Sequence, residues 1–84
     1  MNYIYVLKSK KDHKLYIGFT KQLNKRIKHH NEGESASTKY RRPFKIIYFE
    51  GYLSEKDARR RERNLKLYSK AYYAVKRRLS DSLV

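Results

Sequence analysis

The run Tyr3-Ile4-Tyr5-Val6-Leu7 constrains the fold of this chain most. Every position is apolar or aromatic, so both sides of an extended backbone need cover. That pattern predicts a strand packed on both faces. The polar stretch Ser9-Lys10-Lys11-Asp12-His13-Lys14 suits a hairpin loop, and Leu15-Tyr16-Ile17-Gly18 resumes as a second strand. A loop this short cannot make a parallel crossover, so the pair is expected to be antiparallel.

Thr20 offers an N-cap oxygen to a first helix that runs to about Asn31, and Gly33 stands where a helix stop is expected. Residues 32–43 read as a loop. Phe44 to Tyr52, with Ile46-Ile47-Tyr48-Phe49 at its centre, reads as a third strand. Ser54 opens a second helix to about Leu67, with Asp57 at the capping-box position. Ser69 is expected to cap a third helix over about 70–79, carrying Ala71, Ala74, Val75 and Leu79, with residues 80–84 frayed. The order β-β-α-β-α-α predicts an α+β domain, a three-stranded antiparallel sheet flanked by helices.

With 84 residues the chain has room for a single domain, 1–84, with a thin core. It has no cysteine, which excludes disulfides and thiolate metal sites. No apolar run approaches the roughly 20 residues that cross a bilayer, and the N-terminus lacks a signal-peptide layout. A soluble cytoplasmic protein is the expectation. Twenty-two Lys and Arg oppose eight Asp and Glu, a formal net charge of +14. Such charge on so small a fold repels itself, and a polyanion relieves it; nucleic acid is the commonest such partner. Nine tyrosines accompany the charge, and exposed ones can stack on bases.

Two helix faces carry residues that packing alone would not select. On the second helix, at about 100° per residue, Ala58 and Leu65 lie about 20° apart and Glu62 about 40° from Ala58. Glu62 is then the inward-facing acid of Arg59-Arg60-Arg61-Glu62-Arg63, with the arginines on the remaining faces. A carboxylate aimed inward needs a cation. An intramolecular salt bridge and a bound hard divalent ion both satisfy that need. On the first helix, Arg26 and His30 stack four residues apart, within about 60° of the apolar Leu23. Arg26 can present its fork to a phosphate or form a structural ion pair. Tyr3 and Tyr5 share one strand face, and a phenol beside a metal or cation loses its proton more readily.

Tyr3-Ile4-Tyr5, then ten residues, then Tyr16-Ile17-Gly18 resembles the paired tripeptides of the GIY-YIG nucleases. Gly18-Phe19-Thr20, Arg26-Ile27-Lys28-His29-His30-Asn31, and Ala58 followed by Glu62 and Leu65-Lys66 continue the likeness over roughly residues 2–70. Relatives of this type include the N-terminal domain of the excinuclease subunit that incises damaged DNA, and nucleases for branched DNA. The resemblance implies a DNA endonuclease that hydrolyses phosphodiesters with one divalent metal ion, Mg²⁺ or Mn²⁺. It makes Tyr5 the general base or its positioner and Tyr16 a residue that orders the attacking water. Arg26 would neutralise the phosphate, His30 would support the site, and Glu62 would be the single protein ligand of the metal. Lys8, Lys21, Lys25, Arg41, Arg42 and Lys66 are expected to contact nucleic acid.

Tyr3 stands at the first motif's glycine, and Phe19 follows Gly18 where some members carry a lysine. No second, DNA-binding domain is expected within the chain. Two other readings fit the charge: a nucleic-acid-binding module of this fold without cleavage, and a small basic RNA-associated protein.

Overall fold

A computed structural model describes residues 1–67 and 69–83, the Ser69 side chain excepted. It contains β1 (Asn2–Ser9), β2 (Leu15–Thr20), α1 (Leu23–Asn31), β3 (Phe44–Tyr52), α2 (Glu55–Leu67) and α3 (Ser69–Arg78). The sheet order is β2-β1-β3, with both pairings antiparallel. The strand predicted to need cover on both faces is therefore the central one.

Alternation along β1 sends Ile4 to one side, where it packs with Ala58 and Leu65 of α2, Val75 of α3 and Leu79. Tyr5 and Leu7 point to the other side and pack with Phe44, Leu23 and Ile27 beneath α1. The result is three layers, with α1 on one face of the sheet and α2 and α3 on the other. No described helix is long and apolar enough to cross a membrane.

The helix ends follow local chemistry, with two departures. Gly33 adopts φ +76°, and the N–H groups of Gly33 and Glu34 bond the carbonyls of His30 and His29 at 3.2 and 3.0 Å. This is a Schellman stop, and only glycine enters that left-handed region without strain. Thr20, however, does not cap α1. It remains in the sheet opposite Tyr3, and Gln22 stands at the N-cap without a side-chain bond. The Thr20 hydroxyl accepts the Gln22 N–H at 3.0 Å instead, so it shapes the turn into the helix. Ser54 does cap α2, accepting the Asp57 N–H at 3.4 Å. Asp57 does not close the capping box; its carboxylate takes Arg60 at 3.3 Å. The expected capping by Ser69 falls on a side chain outside the described residues. Past α3 the chain turns rather than trailing away: the Leu83 N–H bonds the Leu79 carbonyl at 2.9 Å, and Leu83 packs on the core.

Arg61 departs from the other arginines of α2, because on the wheel it lies about 40° from Leu65, on the flank of the apolar stripe. Arg61 is not on a solvated face. Its guanidinium forks onto Glu50 of β3 at 3.0 and 3.1 Å. The hydroxyls of Tyr48 and Tyr52 donate to the same carboxylate. These four groups fix α2 to β3, and Arg61 holds the Glu50 carboxyl below its usual range against the upward push of burial. The pair is only partly exposed, 28% for Arg61 and 17% for Glu50, so its loss leaves a poorly solvated charge. Arg61→Met is expected to lower unfolding stability by about 1–3 kcal/mol in urea denaturation. An unchanged midpoint would show that the fork adds nothing.

Candidate active site

The geometry of the first candidate, Tyr5, is set by a glycine. Tyr5 and Gly18 are direct partners across β1 and β2. The Tyr5 ring lies over Gly18 so closely that a Cβ there would stand 2.3 Å from the phenol oxygen. The glycine of the second tripeptide thus makes room for the tyrosine of the first. A glycine inside a strand pattern is a known sign of such close approach.

From that position the Tyr5 hydroxyl reaches Nε2 of His30 at 2.9 Å, and Nδ1 of His30 reaches the Thr38 hydroxyl at 2.7 Å. Tyr5, His30 and Thr38 are all fully buried. Thr38 belongs to the loop between α1 and β3, and nothing in its own sequence context marks it. Burial, with Arg26 beside it, pushes His30 down to about 4. The ring is therefore neutral near pH 7. Burial likewise raises the Tyr5 phenol. The downward pull expected from a nearby cation is present, from Arg26, but burial outweighs it. With the Arg26 guanidinium beside the phenol oxygen, the arrangement that satisfies every group has the Tyr5 hydroxyl donating to Nε2 and the single N–H of the neutral imidazole on Nδ1, facing Thr38.

The Tyr16 ring completes the cluster, 5.1 Å from the His30 ring and 6.4 Å from the Tyr5 ring between centroids. Arg26, half-buried on α1, lies beside both phenols; Tyr5 first and Tyr16 second raise its pKa further. Glu62 comes from the opposite layer, yet its charge is near enough to raise the Tyr5 phenol. Its side chain is 17% exposed and paired with Lys66 at 3.0 Å and, more loosely, with Arg59 at 4.0 Å. Arg59 also stacks over Phe19, 3.8 Å from the ring centroid, so it covers that residue instead of facing solvent alone.

The remaining cations divide into two groups. Lys21 and Lys25 line a cleft of about 290 Å³ together with Arg26, although Lys21 also pairs with Glu55 at 2.9 Å. Lys66 stands beside Glu62 and lines a second cleft, of about 480 Å³, that includes Tyr16. The others sit apart from the cluster. Lys8 donates to the Leu83 carbonyl. Arg41 pairs with Asp12 at 2.9 Å and lies over Phe44. Arg42 packs its guanidinium against Gly33.

No group of three or more His, Asp or Glu converges among the described residues. A caged metal is therefore not what these side chains fit. One partly exposed carboxylate with phosphate-sized clefts nearby fits a hydrated Mg²⁺ or Mn²⁺, which keeps several waters and takes one or two carboxylates.

The two phenols and the arginine on α1 share one cluster, and the carboxylate on α2 lies near enough to act on Tyr5. Residues 1–78 match the family model described as the GIY-YIG catalytic domain. The chain belongs to the GIY-YIG family. It is 48% identical over 67 residues to a UPF0213 protein of Clostridium perfringens, covering 79% of this chain and 71% of that one. A UPF0213 protein of Staphylococcus saprophyticus is 41% identical over 70 residues, 82% of this chain and 84% of its own. The solution NMR structure of a UPF0213 protein from Bacillus halodurans matches with a TM-score of 0.57 at 31% identity, over 94% of this chain and 87% of that one.

Two outcomes follow from the cluster. Gly18→Ala is expected to displace Tyr5 from His30 and destabilise the fold by about 1–3 kcal/mol; a crystal structure retaining the 2.9 Å contact would contradict the role given to Gly18. The second concerns pH. His30 falls from the ordinary 6.5 to about 4 in the folded protein. Between those values the unfolded chain takes up a proton that the folded protein refuses, so this contribution is complete above pH 6.5 and lost as pH falls toward 4. Urea midpoints are expected to drop from pH 7 to pH 5, and His30→Gln to flatten that slope while lowering stability at pH 7. Equal slopes in both proteins would rule His30 out as the source.

Proposed function

We propose that this chain is a divalent-metal-dependent DNA endonuclease that uses one metal ion. The observation that carries the reading is the cluster of Tyr5, Tyr16 and Arg26 around a neutral histidine, with Glu62 of the opposite layer near enough to raise the Tyr5 phenol. Of the two roles implied for Tyr5, burial favours the positioner: its hydroxyl is engaged with His30, and the Arg26 guanidinium lies beside it. Tyr16, half-buried and lining an open cleft, is the phenol that meets the attacking water. Arg26 sets its positive charge against the phosphate as negative charge develops on it.

The reaction is hydrolysis. Water attacks phosphorus, the P–O3′ bond breaks, and a 5′-phosphate and a 3′-hydroxyl result. The water passes a proton along the Tyr16 hydroxyl to solvent, and the leaving oxygen takes one from solvent. Glu62 would hold the metal, and a bound Mg²⁺ or Mn²⁺ supplies Lewis-acid stabilisation to the leaving oxygen. Damaged or branched DNA is the substrate class that the family resemblance suggests.

The rival reading, a binding module without cleavage, has one specific observation in its favour. Glu62 already has partners in Lys66 and Arg59. Those pairs are partly exposed and so weak enough for a divalent ion to compete. The two readings separate on supercoiled and branched DNA with Mg²⁺ or Mn²⁺. Nicking is expected to stop with chelator, to fall at least about 100-fold in Glu62→Ala, and to fall by about 100- to 1,000-fold in Arg26→Ala. Binding without cleavage on every substrate would give the module reading instead.

A further inference from the structure

The outer face of α3 is basic, aromatic and unpaired. Seven of the eight acids lie within 4.0 Å of a Lys, Arg or His among the described residues: Asp12, Glu32, Glu34, Glu50, Glu55, Asp57 and Glu62. None of those pairs involves α3. Its sequence, SKAYYAVKRR, holds no acid, and Lys70, Lys76, Arg77 and Arg78 have no acidic partner among the described residues. At helical spacing Lys70, Tyr73 and Arg77 fall on one face, with Lys76 beside them. Tyr73 is 57% exposed, a large ring held in water with no core to fill. Its neighbours brace it: the Tyr72 ring stands 5.8 Å away at 64°, and the Lys76 ammonium is 5.7 Å from its centroid.

This face is continuous with the candidate active site. Tyr73 lines the cleft of about 480 Å³ that also contains Tyr16 and Lys66. It equally lines the next cleft, of about 740 Å³, with Lys70, Lys76 and Arg77. A path thus runs from Tyr16, past Lys66, over Tyr73 and onto the basic side of α3.

We infer that α3 is a track for an unpaired DNA strand leaving the active site, with Tyr73 stacking on a base and Lys70, Lys76 and Arg77 meeting phosphates. An exposed phenol between cations is the arrangement that grips single strands, because every unpaired base offers a face and every linkage a charge. A blunt duplex keeps its bases stacked inside and offers Tyr73 nothing of the kind. The inference rests on the nuclease reading only for where the strand starts; the grip itself needs no cleavage.

The test is binding in chelator, read by fluorescence anisotropy. The probes are a duplex of about 20 base pairs, blunt or with a single-stranded oligo-dT extension of about 12 nucleotides, which spans a typical single-strand site. The wild-type protein is expected to bind the extended duplex at least about tenfold more tightly than the blunt one. Tyr73→Ala should abolish most of that gain, Tyr73→Phe should keep it, and Lys70→Gln and Arg77→Gln should each lower the salt slope for the extended duplex by about 1. Tyr73 is exposed, so both of its variants are expected to melt like the wild type. Equal binding of the two probes, or a gain that survives Tyr73→Ala, overturns the inference. Cleavage by a protein indifferent to the extension would sink the track and leave the nuclease reading intact. A Tyr73-dependent gain without cleavage on any substrate would do the reverse.

Discussion

The Tyr5 ring rests over Gly18 with its hydroxyl 2.9 Å from His30, and the rest of the site is arranged around that contact. The cross-strand pairing puts the two residues opposite each other. The missing side chain at Gly18 lets the phenol lie inward rather than stand off the sheet. His30 then fixes the direction of the hydroxyl, and Thr38 fixes the histidine. Because all three side chains are buried, the polar chain is satisfied only if every member is in place.

That contact also determines the electrostatics. Burial, helped by Arg26, keeps His30 neutral, and burial keeps Tyr5 protonated, so the charge beside the phenols is that of Arg26, with Glu62 in the opposite layer. The sheet lies between the helices that carry these two charges. α1 brings the arginine. α2, pinned to β3 by the Arg61–Glu50 fork, brings the carboxylate. Most other acids are spent on surface pairs, which leaves the excess positive charge concentrated on open cations such as those of α3.

The element order, the cover on both faces of β1 and the inward side of Glu62 were legible in the sequence: the first two follow from apolar runs and turn signals, the last from the helical period of 3.6 residues. Tyr5, Tyr16 and Arg26, named by the family motif, lie in one cluster, and Glu62 lies in the opposite layer with its charge felt at Tyr5. Three things were not legible. Arg61 lies about 40° from Leu65 on the wheel, as near the apolar stripe as Glu62, so its angle brings it to the sheet but does not name Glu50 as the partner it finds there. Thr38 lies in a loop without period, so only its bond to His30 reveals it. Thr20 looks like a cap because its chemistry is right, but its pairing with Tyr3 holds it extended in the sheet. The cations expected to bind nucleic acid split for the same reason. Lys66 stands beside Glu62, and Lys21 and Lys25 share a cleft with Arg26, whereas Lys8, Arg41 and Arg42 have found structural partners elsewhere.

A neutral His30 accepts a hydrogen bond from the Tyr5 hydroxyl and so aims the phenol within the site. Long-range ¹⁵N–¹H correlation of the His30 ring tests it most directly. The predicted spectrum has a protonated Nδ1 and an unprotonated, hydrogen-bonded Nε2 at pH 7, unchanged down to about pH 5 because the ring titrates near 4. An Nε2-protonated ring at pH 7, or an imidazolium already formed at pH 6.5, the ordinary value, would contradict it.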